Sequence, residues 1–190
     1  MFLLALPSDD EIKSFLERQQ RATFSYTAVG LSKNGSSPKN YRRDHNRIQL
    51  GSGQETWNNA RQAVRGWKMF DMPCAQLCWP SAEIREGTTV AILIRHFGFC
   101  SLNASRIVYV IDEPHRFGFA YGTLKEHAES GEERFLVEWN ESDDSVWYDL
   151  LAFSRPNALL ARIAQPLARR LQHRFVRDSL KAMKGTTTRV

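Results

Sequence analysis

Nine residues near the middle of the chain, RFGFAYGTL at 116–124, carry the pattern that decides the fold. Phe117, Phe119 and Tyr121 alternate here with small residues. A period of two places successive side chains on opposite faces of a strand, so one face is aromatic and the other is nearly bare. A bare face lets another backbone, a helix or a ligand approach closely. Close packing of the last helix is the ordinary explanation, and a bound ligand is the alternative.

Strand patterns recur on both sides of this stretch. The predicted strands cover residues 24–30, 48–50, 88–99, 106–112, 117–124, 132–139 and 146–153. In segment 106–112 both faces are apolar, whereas a sheet with one face in water alternates between apolar and polar residues. We therefore expect the second face of this strand to be covered, either by the N-terminal helix or by a second subunit.

Three helices are predicted, one before the strands, one among them and one after them. Capping-box spacing predicts helices over residues 8–20 and 54–70. The two capping pairs are Ser8 with Glu11 and Ser52 with Glu55. A third helix is predicted over residues 157–184, capped by its first residue, Asn157, and kinked at Pro166, because proline lacks an N–H and its ring clashes with the preceding turn. Residues 32–46 are polar and rich in Gly, Asn and Pro, which indicates a loop.

This order of elements predicts one α+β domain over residues 1–190. A chain of this length buries roughly 70% of its unfolded surface, which gives a core without the help of disulfides. We expect a curved antiparallel sheet that grips a long C-terminal helix, with N-terminal helices and a cavity between the sheet and the last helix. An α+β sandwich with a solid core is the alternative.

Polar residues on the inner face of the sheet are candidates for a functional site. Alternation places Glu133 on the same face as Phe135 and Val137. Burial would raise the pKa of this carboxyl, and a nearby guanidinium from Arg95 or Arg106 would lower it. The alternative is that Glu133 lies at a strand end and reaches water.

The candidate residues fit two roles. Ligand contacts are predicted at Arg106, Tyr109, Tyr121, Glu133 and Tyr148. For catalysis, Glu133 or His127 would shuttle protons, and Arg106 or Tyr121 would stabilise negative charge. His127 lies in a polar turn among carboxylates, where a solvated loop histidine is the ordinary alternative. The sequence contains no Gly-rich phosphate loop, nucleophile elbow or zinc motif.

Charge is distributed unevenly along the chain. Residues 155–190 contain nine Lys or Arg and one acid, for a net charge of +8. Residues 126–144 contain eight acids and one base. The two segments can neutralise each other within the chain or across a homodimer. We prefer this interpretation to nucleic-acid binding, which would make affinity fall steeply with salt.

Cysteine and hydropathy patterns exclude several classes of protein. The three cysteines argue against a disulfide framework. Cys74 and Cys78 lack the second pair that a zinc site needs, so neither a metal nor another cofactor is expected. No stretch approaches the roughly 18 apolar residues of a membrane span. Residues 1–6 lack the basic start and the cleavage site of a secretory signal, which leaves a cytoplasmic protein as the prediction.

Several blocks of sequence, taken in order, resemble one known family. They are SYTAVG at 25–30, LGSG at 50–53, RIVYV at 106–110, RFGFAYGTL at 116–124 with GEERF at 131–135, FSRP at 153–156, and the arginine-rich last helix. The family is the bacterial and plant one called domain of unknown function 1990, and the resemblance covers nearly the whole chain. Residues 104–105, Ala-Ser, depart from its pattern.

The resemblance implies a fold but no activity. The order of elements is similar to the helix-grip fold of the START and polyketide-cyclase superfamily, whose members commonly bind lipids, sterols or polyketides under the last helix. Fold alone does not imply function. The preferred function is a binding module for a small, largely apolar ligand. An enzyme of cyclase, dehydratase or hydrolase type in the same cavity is the second candidate, and a structural or partner-binding protein is the third.

Overall fold

A computed structural model describes residues 1–96, 98–157 and 165–187 of the chain. The described helices are α1 (Asp9–Gln19), α2 (Gly53–Arg65) and α3 (Gln165–Thr187). The strands are β1 (Phe2–Leu3), β2 (Arg42–Ser52), β3 (Ala75–Leu77), β4 (Thr89–Arg95), β5 (Cys100–Glu113), β6 (Arg116–Thr123), β7 (Glu129–Asn140) and β8 (Ser145–Pro156). Short 3₁₀ turns occupy Leu31–Asn34 and Lys68–Phe70.

The eight strands form one antiparallel sheet. Their order is β2-β8-β7-β6-β5-β4-β3, and β1 pairs with β5. Bulges interrupt β2 between Gln49 and Gly51 and β5 between Ile107 and Tyr109. A bulge bends its strand and increases the local twist, so the sheet curls into a half-barrel with α3 on its concave face. The structure thus confirms the predicted α+β fold, a curved antiparallel sheet with a C-terminal helix.

The main core lies between the concave face and two helices. α2 buries Trp57 and Val64, which share one face at helical spacing. In the turn after α2, Phe70 places its ring 5.6 Å from Phe135 of β7 and 5.7 Å from Phe175 of α3. This turn therefore connects the sheet to α3 through aromatic contacts.

Segments from the N-terminal region cover the convex face. Ile12 and Phe15 of α1 are buried in a cluster that includes Leu102 of β5. Further along β5, the turn Leu31–Asn34 reaches Tyr109, where its Ser32 Oγ lies 2.6 Å from the tyrosine hydroxyl. The second face of β5 is thus covered within the chain, in part by the predicted N-terminal helix and in part by this turn.

Two departures from the predicted elements concern the segment before β2. The strand predicted over residues 24–30 is wrong, because this segment makes only an isolated bridge, from Phe24 to Leu124. The loop predicted over residues 32–46 is too long, because β2 begins at Arg42. β2 is an edge strand, and edge strands accept the polar and charged residues that suggested a loop.

The helix predicted over residues 54–70 is shorter than expected. It ends at Arg65, and Trp67 then adopts a left-handed φ of 55°. The Ser8 capping box is present, whereas Ser52 occupies the N-cap of α2 without a side-chain cap hydrogen bond. Capping spacing therefore located both helix starts, although only one start uses the capping box.

Part of the last predicted helix cannot be compared with the structure. The cap at Asn157 and the kink at Pro166 depend on residues 158–164, which lie outside the described residues. The described helix α3 extends to Thr187, slightly beyond the predicted end.

Candidate functional site

Glu133 of β7 and Tyr121 of β6 form the polar centre of the concave face. They are directly opposite each other in the antiparallel register, and the Tyr121 hydroxyl donates to Glu133 Oε2 at 2.7 Å. Protein surrounds the carboxyl, yet the residue keeps some accessible surface. Burial raises the pKa of Glu133 to about 7, and the hydrogen bond from Tyr121 opposes part of this rise. The carboxyl can therefore take up or release a proton near neutral pH.

Two further carboxylates face the same interior. Asp44 of β2 and Glu133 are both opposite Ala152 of β8 in the register, so these residues form one row across the sheet. Glu129 lies four residues before Glu133 in β7, and therefore on the same face. The charges of Glu129 and Asp44 add to the rise in the pKa of Glu133.

Helix α3 binds the outer two carboxylates. Arg169 donates to Asp44 Oδ2 at 2.9 Å, and Gln172 donates to Glu129 Oε1 at 2.5 Å. Burial opposes ionisation of Asp44, but the hydrogen bond and charge of Arg169 hold its pKa below the usual value. At Glu129 burial dominates and raises the pKa. Glu133 has no cationic partner among the described residues, so it is the carboxyl of this row best placed to meet a ligand.

Aromatic rings form much of the wall around Glu133. The ring of Phe135 lies 5.2 Å from that of Tyr121 and belongs to the same core as Phe175 of α3. Ala152 and Phe175 are only partly buried, although both face the interior. An apolar wall with a few polar groups is the lining that small-molecule sites usually have.

Tyr148 of β8 faces the same interior, but its hydroxyl is hydrogen-bonded to α3. It is fully buried, and its hydroxyl lies 3.0 Å from Ser179 Oγ. Burial raises the pKa of Tyr148, so the hydroxyl stays protonated. The structure thus places three of the predicted site residues, Tyr121, Glu133 and Tyr148, on the concave face.

Arg106 lies on the other side of the sheet. It is opposite Gly122 in the register, one position away from Tyr121, and a step of one residue reverses the face. Its guanidinium donates to three backbone carbonyl oxygens near the end of α1, those of Gln19, Gln20 and Ala22. Arg106 thus holds α1 against β5 and does not reach Glu133.

Tyr109 and Arg95 are also separated from Glu133. The bulge after Ile107 shifts the phase of β5 and turns Tyr109 to the convex face, where burial raises its pKa to about 12. Arg95 donates to Gln76 Oε1 at 3.4 Å at the exposed end of β4. No guanidinium of the described residues therefore pairs with Glu133, contrary to the partners proposed from the sequence.

His127 is enclosed in the turn between β6 and β7. Its Nδ1 accepts the backbone N–H of Glu129 at 3.0 Å, and burial lowers the pKa of the imidazole to about 4. His127 is thus a neutral turn histidine rather than a solvated one. The structure shows no hydrogen bond between it and the carboxyl of Glu133 among the described contacts.

A second buried carboxylate on β7 was not predicted. Glu132 is 2% exposed on the convex face and accepts from the Tyr26 hydroxyl at 2.6 Å, from the backbone of Gly30 at 2.7 Å, and from both the backbone and the hydroxyl of Ser32. Gly122 leaves the space that Tyr26 occupies. The bare face of β6 therefore receives this tyrosine and not the C-terminal helix. The adjacent pair Glu132-Glu133 was the available signal, since alternation sends its members to opposite faces.

The charged segments pair differently from the prediction. Arg174 and Arg177 of α3 form ion pairs with Asp178 of the same helix. In the acidic segment, Glu138 pairs with Arg47 and Arg116. Direct contact between the two segments includes the hydrogen bond from Gln172 to Glu129.

No described helix is long and apolar enough to cross a membrane, and the described residues contain no group of three or more His, Cys, Asp or Glu that could hold a metal ion.

Solved structures share the fold of this chain. An uncharacterised protein from Bacillus thuringiensis aligns with a TM-score of 0.53 and 16% identity, over 78% of this chain and 100% of that one. The ZhuI aromatase/cyclase from Streptomyces sp. R1128 aligns with a TM-score of 0.51 and 14% identity, over 77% of this chain and 93% of that one. Identity this low shows a common helix-grip fold and nothing about activity.

Sequence comparison identifies relatives over almost the full length. A UPF0548 protein of Deinococcus radiodurans is 38% identical, over 93% of this chain and 94% of the relative. A UPF0548 protein of Dictyostelium discoideum is 34% identical, over 96% of this chain and 94% of the relative. The family model described as domain of unknown function (DUF1990) matches residues 25–182. The chain therefore belongs to the DUF1990 family, as its sequence blocks suggested.

Proposed function

We propose that this protein binds a small, largely apolar molecule between the concave face of the sheet and α3. The observation that carries the proposal is Glu133, which is surrounded by protein, retains accessible surface and has Tyr121 as its hydrogen-bond partner among the described residues. Among the described contacts Tyr121 donates to Oε2, so Oε1 can accept a hydrogen bond from a ligand. A carboxyl in an aromatic wall suits a ligand with one hydroxyl or amide group on an apolar body.

The proposal assigns different roles to the residues selected from the sequence. Glu133 and Tyr121 contact the polar group of the ligand, and Tyr148 contributes to the wall. Tyr109 and Arg106 hold N-terminal segments on the convex face instead. The helix-grip fold is compatible with this assignment, since one protein that shares it is described as an aromatase/cyclase.

The test is saturable binding of the neutral apolar probe N-phenyl-1-naphthylamine, followed by fluorescence. Ala152→Trp, on the concave face beside the carboxyl row, should abolish binding because the indole fills the space. Lys13→Trp, on the exposed surface of α1, should bind as the wild type does. Native mass spectrometry of the purified wild type should reveal any carried ligand. Absence of saturable binding, or equal binding by the two Trp variants with native circular dichroism, would reject the site.

A second candidate function is acid–base catalysis in the same interior, of cyclase, dehydratase or hydrolase type. The pKa of Glu133, raised to about 7, favours it, because a general acid or base works best when its pKa lies near the working pH. Tyr121 would act as a donor to developing negative charge. If a substrate is found, the Glu133→Gln variant should still bind that substrate but should lose most of the catalytic rate. An unchanged rate would leave binding as the function.

The third candidate, a structural or partner-binding protein, was argued from the second apolar face of β5. The second face of β5 is covered by α1 and the Leu31–Asn34 turn of the same chain.

A further inference from the structure

A separate groove lies on the convex face, on the other side of the sheet from the interior that contains Glu133. We name it the outer groove; its volume is about 290 Å³. Its lining residues are Phe24, Ser25, Tyr26, Thr27, Pro38, Lys39, Asn40, Tyr41 and Arg155. One wall is residues 24–27, the other is the turn at residues 38–41, and the end of β8 adds Arg155.

Hydrogen bonds hold both walls of the outer groove in place. The backbone N–H of Ser25 donates to the Thr123 carbonyl oxygen of β6 at 2.9 Å. In the opposite wall the N–H of Tyr41 donates to the Pro38 carbonyl oxygen at 3.0 Å. Bonds within the chain therefore fix parts of both walls, and ligand sites are usually largely pre-formed.

The charged side chains that line the outer groove are all positive. Lys39 and Arg155 are its two cations, and none of its described lining residues is acidic. Arg155 lies over the ring of Tyr41, 4.6 Å from the centroid, and neither cation forms an ion pair or hydrogen bond with the described residues. The stacked ring restricts the guanidinium but uses none of its N–H donors.

The remaining polar groups of the groove are also suited to an acceptor-rich ligand. Ser25 Oγ and the Tyr41 hydroxyl are already bonded, to Thr123 and Ser130. Thr27 and Asn40 have no side-chain hydrogen bond among the described contacts, so a hydroxyl and an amide stand beside the two cations. Most of the polar groups in the groove that lack a partner among the described residues are therefore hydrogen-bond donors.

We propose that the outer groove binds a small dianion of the phosphate-monoester class. Two cations match a doubly charged phosphate better than a carboxylate with one charge. A planar guanidinium can donate two parallel hydrogen bonds to phosphate oxygens. The volume, near the lower end of ligand pockets, suits a phosphate with one small ring or sugar. This site is independent of the function proposed for the concave interior.

The test is calorimetric titration with phenyl phosphate at low salt, beside the neutral analogue benzyl alcohol. We expect saturable binding of phenyl phosphate only, and about a tenfold loss of affinity in Arg155→Gln and in Lys39→Gln. The matched control is Arg170→Gln, which removes an exposed cation of α3 and should leave affinity unchanged. Circular dichroism and thermal midpoints establish that each variant is folded.

Three results would overturn the assignment. They are no saturable binding of phenyl phosphate to the wild type, equal loss in the control variant, and equal binding of benzyl alcohol. A single-stranded oligonucleotide that binds more tightly than phenyl phosphate, with the same dependence on Arg155, would show that the groove is part of a nucleic-acid surface and would also reject the small-molecule assignment.

Discussion

The raised pKa of Glu133 makes a quantitative prediction for the Glu133→Gln variant. The folded protein keeps the proton of this carboxyl up to about pH 7, whereas the ordinary value for Glu is 4.5. Glutamine has nearly the same size and can still accept the hydrogen bond from Tyr121, but it has no charge to bury. The substitution therefore removes the penalty of ionising Glu133 inside the protein.

The sign and size of the effect follow from proton linkage. Between pH 4.5 and about 7 the folded wild type binds more protons at this site than the unfolded chain does. This contribution to stability is therefore complete below 4.5, falls as the pH rises through that window, and is flat above it. At 1.36 kcal/mol per pKa unit, the loss is roughly 3 kcal/mol. The free energy of unfolding of Glu133→Gln, minus that of the wild type, should grow by this amount across the window.

The assay is urea unfolding of both proteins at intervals between about pH 4.5 and pH 8.5. Glu86→Gln, at an exposed position, is the control and should give a difference that does not change with pH. Tyr121→Phe removes the hydrogen bond that favours the ionised form of Glu133. In that background the pH window over which Glu133 lowers the free energy of unfolding should move to higher pH. A flat difference for Glu133→Gln, or a step centred near pH 4.5, would show that Glu133 is solvated like an ordinary surface carboxylate and would refute the reasoning.

Two further predictions test the packing on the two faces of the sheet. A Cβ added by Gly122→Ala would overlap the hydroxyl of Tyr26, so this variant should lose about 2–4 kcal/mol of unfolding free energy. The control is Gly185→Ala in α3, where no atom lies near the added Cβ, and its free energy of unfolding should be unchanged or higher by up to about 1 kcal/mol. Equal effects of Gly122→Ala and Gly185→Ala in urea unfolding would contradict the overlap with Tyr26. Tyr148→Phe leaves the hydroxyl of Ser179 buried without its partner and should cost about 1–2 kcal/mol, and the double variant with Ser179→Ala should recover part of this loss; purely additive losses would show that the two hydroxyls are not coupled.

For the candidate site, strand alternation predicted which face of the sheet a residue occupies wherever the strand is regular. The pattern around Glu133 placed it on the same face as Phe135, and the structure has both on the concave face. The same reasoning failed at Tyr109, because the bulge after Ile107 reverses the phase of β5 and no feature of the sequence marks the bulge. The proposed pairing of Arg106 with Glu133 failed because it ignored the register between strands.

The sequence by itself determined the strands from β4 to β8, the inward-facing carboxyl and the presence of a closing helix, because the direction of side chains along a strand or helix depends on local geometry. Only the tertiary structure decided which groups meet. The hydroxyl of Tyr26 reaches Glu132 across 106 positions of the chain, and Arg169 reaches Asp44 across 125. Such contacts depend on strand register and on which segment folds over which face, and these are set by the packing of the whole chain.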